Sequence, residues 1–338
     1  MNLKEHISLK AFNTFGIDVQ ARYFAEIGTT DDFKHLIKAP VYINNSKLII
    51  GGGSNLLFTH NFEGLVVKNA LKGIKLIDEN ENYVWVNVYA GEVWHEFVLW
   101  CVKNNYGGLE NLSLIPGCVG AAPMQNIGAY GVEIKDVCEK VHAMDMTNGE
   151  HRIFTNEECK FGYRESVFKH ELKNKFLITS VTFKLNKKPV FNTSYGAIEQ
   201  ELAAMGIKNL SIKAISDAVI RIRSSKLPDP KEKGNAGSFF KNPEVSKQKH
   251  DELKSRFEKL VSYSLENGNY KLAAGWLIEQ CGLKGKRHGN AGVHDKQALV
   301  LVNHGTAKGE EIYKLSEEVL DAVQQKFGVT LEREVNIY

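Results

Sequence analysis

The sequence predicts a mixed α+β protein of more than one domain: a β-rich N-terminal module in two lobes, then an α+β module. Three observations point there. The chain has 338 residues, more than most single compact cores organise. Its first two-thirds reads as short apolar strands broken by glycine-rich turns. Its last third switches to apolar residues at helical spacing.

Taken in order, KLII (47–50) is a short strand that runs straight into Gly51-Gly52-Gly53-Ser54-Asn55. GLVVKN (64–69) and YVWVNVYAG (83–91) continue in β style, rich in Val, Tyr and Trp. A helix is expected from Glu92, because Val93, Trp94, Phe97, Val98 and Cys101 fall at helical spacing and residues 105–108 end it. FLITSVTFKL (176–185) reads as a further strand, and the polar segment 224–237, with its prolines and glycines, as a linker or a working loop. LAAGWLIEQCGLKG (272–285) is expected to be helical. So is the stretch carrying Ile312, Leu315, Val319, Leu320, Val323 and Phe327, with Gly328 as its stop.

Composition excludes several classes. With 43% hydrophobic and 25% charged residues the chain is an ordinary folding sequence. A net charge of +3 leaves no broad basic field for nucleic acid, though a local patch could still meet a phosphorylated small molecule. The opening MNLKEHISLK lacks a signal peptide's apolar core, and no apolar run approaches the roughly 18–20 residues that span a bilayer. Five cysteines (101, 118, 138, 159 and 281) form no CxxC pair, and the odd count fits a reducing compartment. The expectation is a cytoplasmic protein with no nucleic-acid or membrane partner and no obligate protein partner. His288 and His294 lie six apart in a Gly-rich stretch with no nearby Cys or carboxylate cluster, so no metal site is expected.

Five segments carry candidate chemistry. Gly51–Asn55 follows a strand but is not the Rossmann fingerprint, since Leu56 stands where a third glycine would fall. It is either a plain turn or a run of exposed backbone N–H groups suited to a pyrophosphate, with Ser54 and Asn55 as extra donors. IPGCVGAAPMQNIGAYG (115–131) holds four glycines, three alanines and two prolines. It suits neither helix nor strand and would let backbone approach a large flat ligand, with Gln125, Asn126 and Tyr130 as polar handles. In CKFGYRES (159–166), Arg164 among Phe161 and Tyr163 could grip a carboxylate with two parallel bonds, or simply pair with Glu165. Ser238, in GNAGSFFKNP (234–243), is either a helix cap or a hydroxyl in a tight pocket, and no GxSxG motif marks a hydrolase nucleophile. Glu334, in LEREVNIY (331–338), reads locally as a solvated glutamate.

Together these segments resemble the UDP-N-acetylenolpyruvoylglucosamine reductases of the MurB type. The matching blocks are NTFGI (13–17), GGGSNLLF (51–58), GLENLSLIPGCVGAAPMQNIGAYGVE (108–133) and CKFGYRES (159–166). They continue with RSSKLPDP (223–230), GNAGSFFKNP (234–243), AAGWLIEQCGLKG (273–285) and LEREV (331–335). They fall in family order over nearly the whole chain. The one departure is Gly52 in place of the family's usual Glu.

The resemblance implies a two-lobed, α+β FAD-binding domain of the vanillyl-alcohol-oxidase (PCMH) type plus a C-terminal α+β substrate-binding domain. It divides the chain into lobe 1 (1–64), lobe 2 (65–190), a substrate lid loop and linker (191–233) and the C-terminal domain (234–338). The implied reaction is NADPH-dependent reduction of UDP-N-acetylglucosamine enolpyruvate through FAD, an early cytoplasmic step of peptidoglycan synthesis. FAD would be held by Gly51, Gly52, Gly53, Ser54, Asn55, Pro116, Gly117, Gly120, Ala121, Ala122, Gln125, Gly128, Ala129 and Arg223. No His stands in either glycine-rich loop, so non-covalent FAD is expected. Ser238 matches the family's proton donor, and Arg164 and Glu334 the pair that stabilises the enolic intermediate. Tyr195 matches the tyrosine of a loop that closes over substrate in one subgroup. Tyr130, Lys226, Asn242, Lys284 and Gln297 are implied as further contacts to the nucleotide or sugar.

Overall fold

In a computed structural model, which describes residues 2–338, the chain forms two compact units, each assembled from separate stretches of sequence. The first unit comprises 1–7, 21–53 and 62–225; the second comprises 8–20, 54–61 and 226–338.

Besides a two-stranded hairpin that pairs Gly128–Ala129 with Val132–Glu133, the first unit holds two larger sheets. One has the strand order Asn2–Ser8, Gln20–Ile27, Phe62–Asn69, Lys47–Ile50, and its last three strands run parallel. The other is antiparallel: His151–Thr155, Cys138–Asp145, Phe176–Asn186, Tyr83–Tyr89, Ile74–Glu79. Val84, Val86 and Val88 alternate inward from its Tyr83–Tyr89 strand. They pack on Trp94, Phe97, Val98 and Cys101 of the helix Trp94–Lys103, which bears the apolar face its spacing predicts. The two sheets share a second core through Leu65, Val67, Met144 and Leu177. The buried Asn69 also joins them, its Nδ2 donating to the Ile178 carbonyl at 2.8 Å.

The second unit contains a four-stranded sheet ordered Gly234–Ser238, Val300–Asn303, Ala291–Val293, Arg287–His288, and a three-stranded one. Its long helix Gly309–Phe327 buries Ile312, Leu315, Val319, Val323 and Phe327, and Gly328 ends it at φ +61°.

Three expectations are corrected. The lid and linker assigned to 191–233 are largely helical: Gly196–Ala204 and Ile212–Lys226 pack Ile198, Leu202, Ile215, Val219 and Ile222 into a small core of their own. The irregular linker shrinks accordingly to 227–233. The helix expected over 272–285 spans only Ala274–Gln280, because Gly282 and Gly285 both take positive φ. Finally, the second unit is not the C-terminal stretch alone. Asn303 Nδ2 donates to the Phe15 carbonyl (2.9 Å), and Asn336–Ile337 pairs in parallel with Leu56–Leu57, drawing 8–20 and 54–61 into it.

Candidate active site

In the first unit the two glycine-rich loops lie back to back. A Cβ on Gly52 would stand 3.0 Å from Gly117 Cα, and one on Gly51 would stand 3.4 Å from Cys118 Cβ. The left-handed residue of the first loop is Gly53, at φ +64°, so Gly52 departs from the family's Glu at a position whose own φ does not demand glycine. Lys68 Nζ donates to the Gly51 carbonyl. The second loop is pinned by the start of the Trp94–Lys103 helix, where Trp94 N–H donates to Gly117 O at 3.0 Å and Trp94 Nε1 to Leu112 O at 2.9 Å. Pro116 and Ala121 are exposed, while Gln125, Gly128 and Ala129 are half-buried. Two residues of this loop depart from expectation. Ala122, 1% exposed, packs into the core and has no surface to offer a ligand. The bare face of Gly120 meets Ala90 Cβ at 2.4 Å from an added Cβ, so its glycine serves packing against the sheet.

Arg164 sits on a tight turn closed by Gly162 and Glu165, at φ +57°. Its Nη2 donates to the Gly128 carbonyl at 2.9 Å, and its guanidinium lies 5.3 Å from the Tyr163 ring centre. Asn126 and Tyr130 also take left-handed backbone, which for residues other than glycine is uncommon and concentrates at functional sites.

Tyr130 and Tyr195 meet edge to face with ring centres 5.4 Å apart. The segment before Tyr195 is tied to the same hairpin: buried Asn111 Nδ2 donates to both Tyr130 O (3.1 Å) and Asn192 O (2.9 Å). Arg223 hydrogen-bonds the Tyr130 side chain, and its Nε donates to Leu114 O at 3.2 Å. Burial lowers the Arg223 pKa; Tyr130 opposes that shift and nearby Arg164 adds to it, so two guanidiniums share one electrostatic neighbourhood. Leu114 N–H in turn donates to His95 Nδ1 at 2.9 Å. His95 is held below the usual imidazole pKa chiefly by burial, then by Arg223, with Glu96 acting against both. Sequence reasoning passed over His95, which lies outside any motif, and Asn111, which stands within the 108–133 block but was given no role; both acquire partners only through the fold.

In the second unit, Ser238 ends a bulged strand. The register with Val300–Asn303 slips between Asn235 and Ser238, and Gly237 sits at φ +70°. Asn235, 3% exposed, builds the bulge: its Oδ1 accepts from Gly237 N at 2.9 Å, and its Nδ2 donates to Pro228 O and Lys233 O. The capping alternative for Ser238 falls away, because no helix starts there; the cap serine of the next helix, Lys247–Arg256, is Ser246. Glu334 lies on the neighbouring segment, its N–H donating to the Phe239 carbonyl at 2.8 Å, flanked by the Phe240–Arg333 bridge. It is half-buried rather than solvated. Arg333 fastens this segment to the long helix through Ser316 Oγ (2.8 Å) and the Tyr313 ring (4.6 Å). Asn55 Nδ2 donates to the Glu334 carbonyl at 3.3 Å, so Asn55 and its neighbour Ser54 belong with this unit.

The remaining expected contacts of this unit separate. Asn242 Oδ1 accepts from Ala274 N (3.0 Å), and Gln297 Oε1 would stand 2.9 Å from a Cβ on Gly275, so both face the start of the Ala274–Gln280 helix. Lys284 is exposed and pairs with Glu279 at 3.0 Å, and Lys226 is exposed at the end of its helix.

Comparison with known proteins agrees with both halves. Residues 21–155 match an FAD binding domain, and residues 229–338 match the UDP-N-acetylenolpyruvoylglucosamine reductase C-terminal domain. The chain is 50% identical to the UDP-N-acetylenolpyruvoylglucosamine reductase of Flavobacterium johnsoniae over 338 residues, covering all of both chains. It is 49% identical to that of Amoebophilus asiaticus over 337 residues, covering 100% of this chain and 99% of the relative. Among solved structures, the reductase of Thermus caldophilus superposes over the full length of both chains with a TM-score of 0.70 at 25% identity. Matched end to end by relatives of that name and in both characteristic domains, the chain belongs to the UDP-N-acetylenolpyruvoylglucosamine reductase family.

Proposed function

We propose that Arg164, Ser238 and Glu334 carry the chemistry by which this FAD enzyme reduces UDP-N-acetylglucosamine enolpyruvate with NADPH. The observation that carries the reading is that Ser238 and Glu334 stand on adjoining segments: Ser238 ends a bulged strand, and Glu334 N–H donates to the carbonyl of the next residue, Phe239. The Gly51–Gly53 and Gly117–Cys118 loops suit a dinucleotide, since Gly52 meets the Gly117 backbone directly and only the small Cys118 side chain stands against Gly51. These loops would hold FAD without a covalent link, and the bound flavin would supply the hydride drawn from NADPH.

The substrate's double bond adjoins a carboxylate, where negative charge builds as the bond is reduced. Arg164, tethered at Nη2 and half-buried, meets that charge with a preorganised guanidinium. Glu334 acts with Arg164 on the same carboxylate. Ser238 Oγ then gives its proton to the adjacent carbon; a hydroxyl is a weak acid, but an enolate is a strong enough base to take it. Tyr130 and Tyr195, ring against ring, close over the nucleotide sugar, with Lys226, Asn242, Lys284 and Gln297 as further contacts. NADPH and the nucleotide sugar use one pocket in turn, in the cytoplasm. No helix among the described residues is long and apolar enough to cross a membrane. The test is direct: incubation with NADPH and UDP-N-acetylglucosamine enolpyruvate should give a product heavier by two hydrogens. NADPH consumption that is indifferent to the nucleotide sugar would refute the reading.

A further inference from the structure

Asn126 offers its side chain to the protein rather than to a ligand. It is fully buried, at φ +45°. Its Nδ2 donates to Glu133 Oε2 (2.8 Å) and to the Gly162 carbonyl (2.9 Å), and its Oδ1 accepts from Lys135 N (3.1 Å). Both amide donors and the acceptor are thus committed inside the fold. This corrects the expectation that Asn126 is a polar handle for a bound molecule.

The partners are informative. Gly162 is the base of the turn that presents Arg164, and it exchanges backbone bonds with Glu165 at 3.0 and 3.2 Å. Gly128, two residues beyond Asn126, supplies the carbonyl that Arg164 Nη2 grips. A Cβ on Gly128 would stand 2.7 Å from Glu133 Cγ and 3.4 Å from Arg164 Nη1, so guanidinium and hairpin are in close register. Ser166 Oγ, donating to Met124 O at 2.7 Å, fastens the far side of the same clasp. Asn126 therefore lies between the two points that define Arg164: the base of its turn and the tether of its guanidinium.

We infer that Asn126 is a positioning residue for Arg164 in the reduction of the enolpyruvyl substrate. The inference rests on the reading of Arg164 given above, and its test separates the two. Asn126→Asp keeps the size and the Lys135 bond but turns an oxygen toward the Gly162 carbonyl; Asn126→Ala removes every bond. In both, reoxidation of reduced flavin by the enolpyruvyl substrate should slow by about tenfold to a hundredfold, the scale for misplacing a reacting group by roughly 1 Å. Calorimetry should show weaker binding of UDP-N-acetylmuramate, whose carboxylate Arg164 would also meet. In an Arg164→Ala background the Asn126 substitutions should change the rate by no more than about twofold, because they act through a group already gone. An effect on rate that persists undiminished in that background, or wild-type behaviour of a folded, FAD-loaded Asn126→Asp protein, overturns the inference. So does failure of both variants to fold, since that would give Asn126 a role in the fold rather than in the turn. If Arg164→Ala itself reoxidises at the wild-type rate, the reading of Arg164 fails first.

Discussion

Removing the Ser238 hydroxyl separates a proton donor from a structural serine, and the structure sets what each would cost. Ser238 ends a strand and starts no helix, so Ser238→Ala forfeits no cap and should shift stability by less than about 0.5 kcal/mol. The bulge that aims it is built by Asn235 and Gly237, which the substitution leaves in place. FAD content and flavin bleaching by NADPH should therefore stay near wild type. Reoxidation by the enolpyruvyl substrate should slow by about a hundredfold to ten-thousandfold, the scale for losing a positioned general acid. That corresponds to roughly 2.7–5.4 kcal/mol of barrier at 1.36 kcal/mol per tenfold. Ser238→Cys should recover part of the loss, because a thiol also donates a proton. Stopped-flow absorbance resolves the two half-reactions in one instrument. An alanine variant that reoxidises at the wild-type rate would show that Ser238 is not the acid, and the proposed mechanism would fail at its central step.

Three further outcomes are expected. Tyr195→Phe keeps the ring contact with Tyr130 but loses the hydroxyl, so it should weaken nucleotide-sugar binding in a titration while NADPH still bleaches the flavin at a near-normal rate; equal damage to both would place the residue at the flavin instead. Acid precipitation should release all FAD into the supernatant, and yellow colour retained on the pelleted polypeptide would contradict a non-covalent link. His95, His142, His294 and His304 are all held below their ordinary pKa, mainly by burial. For such groups the unfolded chain binds protons first, so stability is intact above about pH 6.5 and is lost as the pH falls through the lowered values. Urea midpoints measured from pH 8 to pH 5 should decline on the acid side, and His95→Gln should flatten part of that decline if Leu114 N–H finds a neutral acceptor in the glutamine.

What the sequence determined by itself was whatever depends on neighbours along the chain. The strand Lys47–Ile50 and the helices Trp94–Lys103 and Gly309–Phe327 are legible because the period of their apolar residues is a local property. The motif blocks carried the family, because Arg164, Ser238 and Glu334 each stand in a recognisable string. Local pattern failed where local and tertiary demands diverge. The polar helix at Ile212–Lys226 blends into the proline-rich stretch that follows it, and Ser238 looks like a cap until its strand is seen to pair with Val300. That 8–20 and 54–61 join the C-terminal stretch follows from the fold alone, since parallel pairing of Asn336–Ile337 with Leu56–Leu57 links residues some 280 positions apart. The fold also distinguished among the asparagines. A side-chain amide in a glycine-rich loop reads the same whether it faces a ligand or a carbonyl of its own chain. Asn126 and Asn235 became structural because burial obliges each polar atom to find a partner inside the fold.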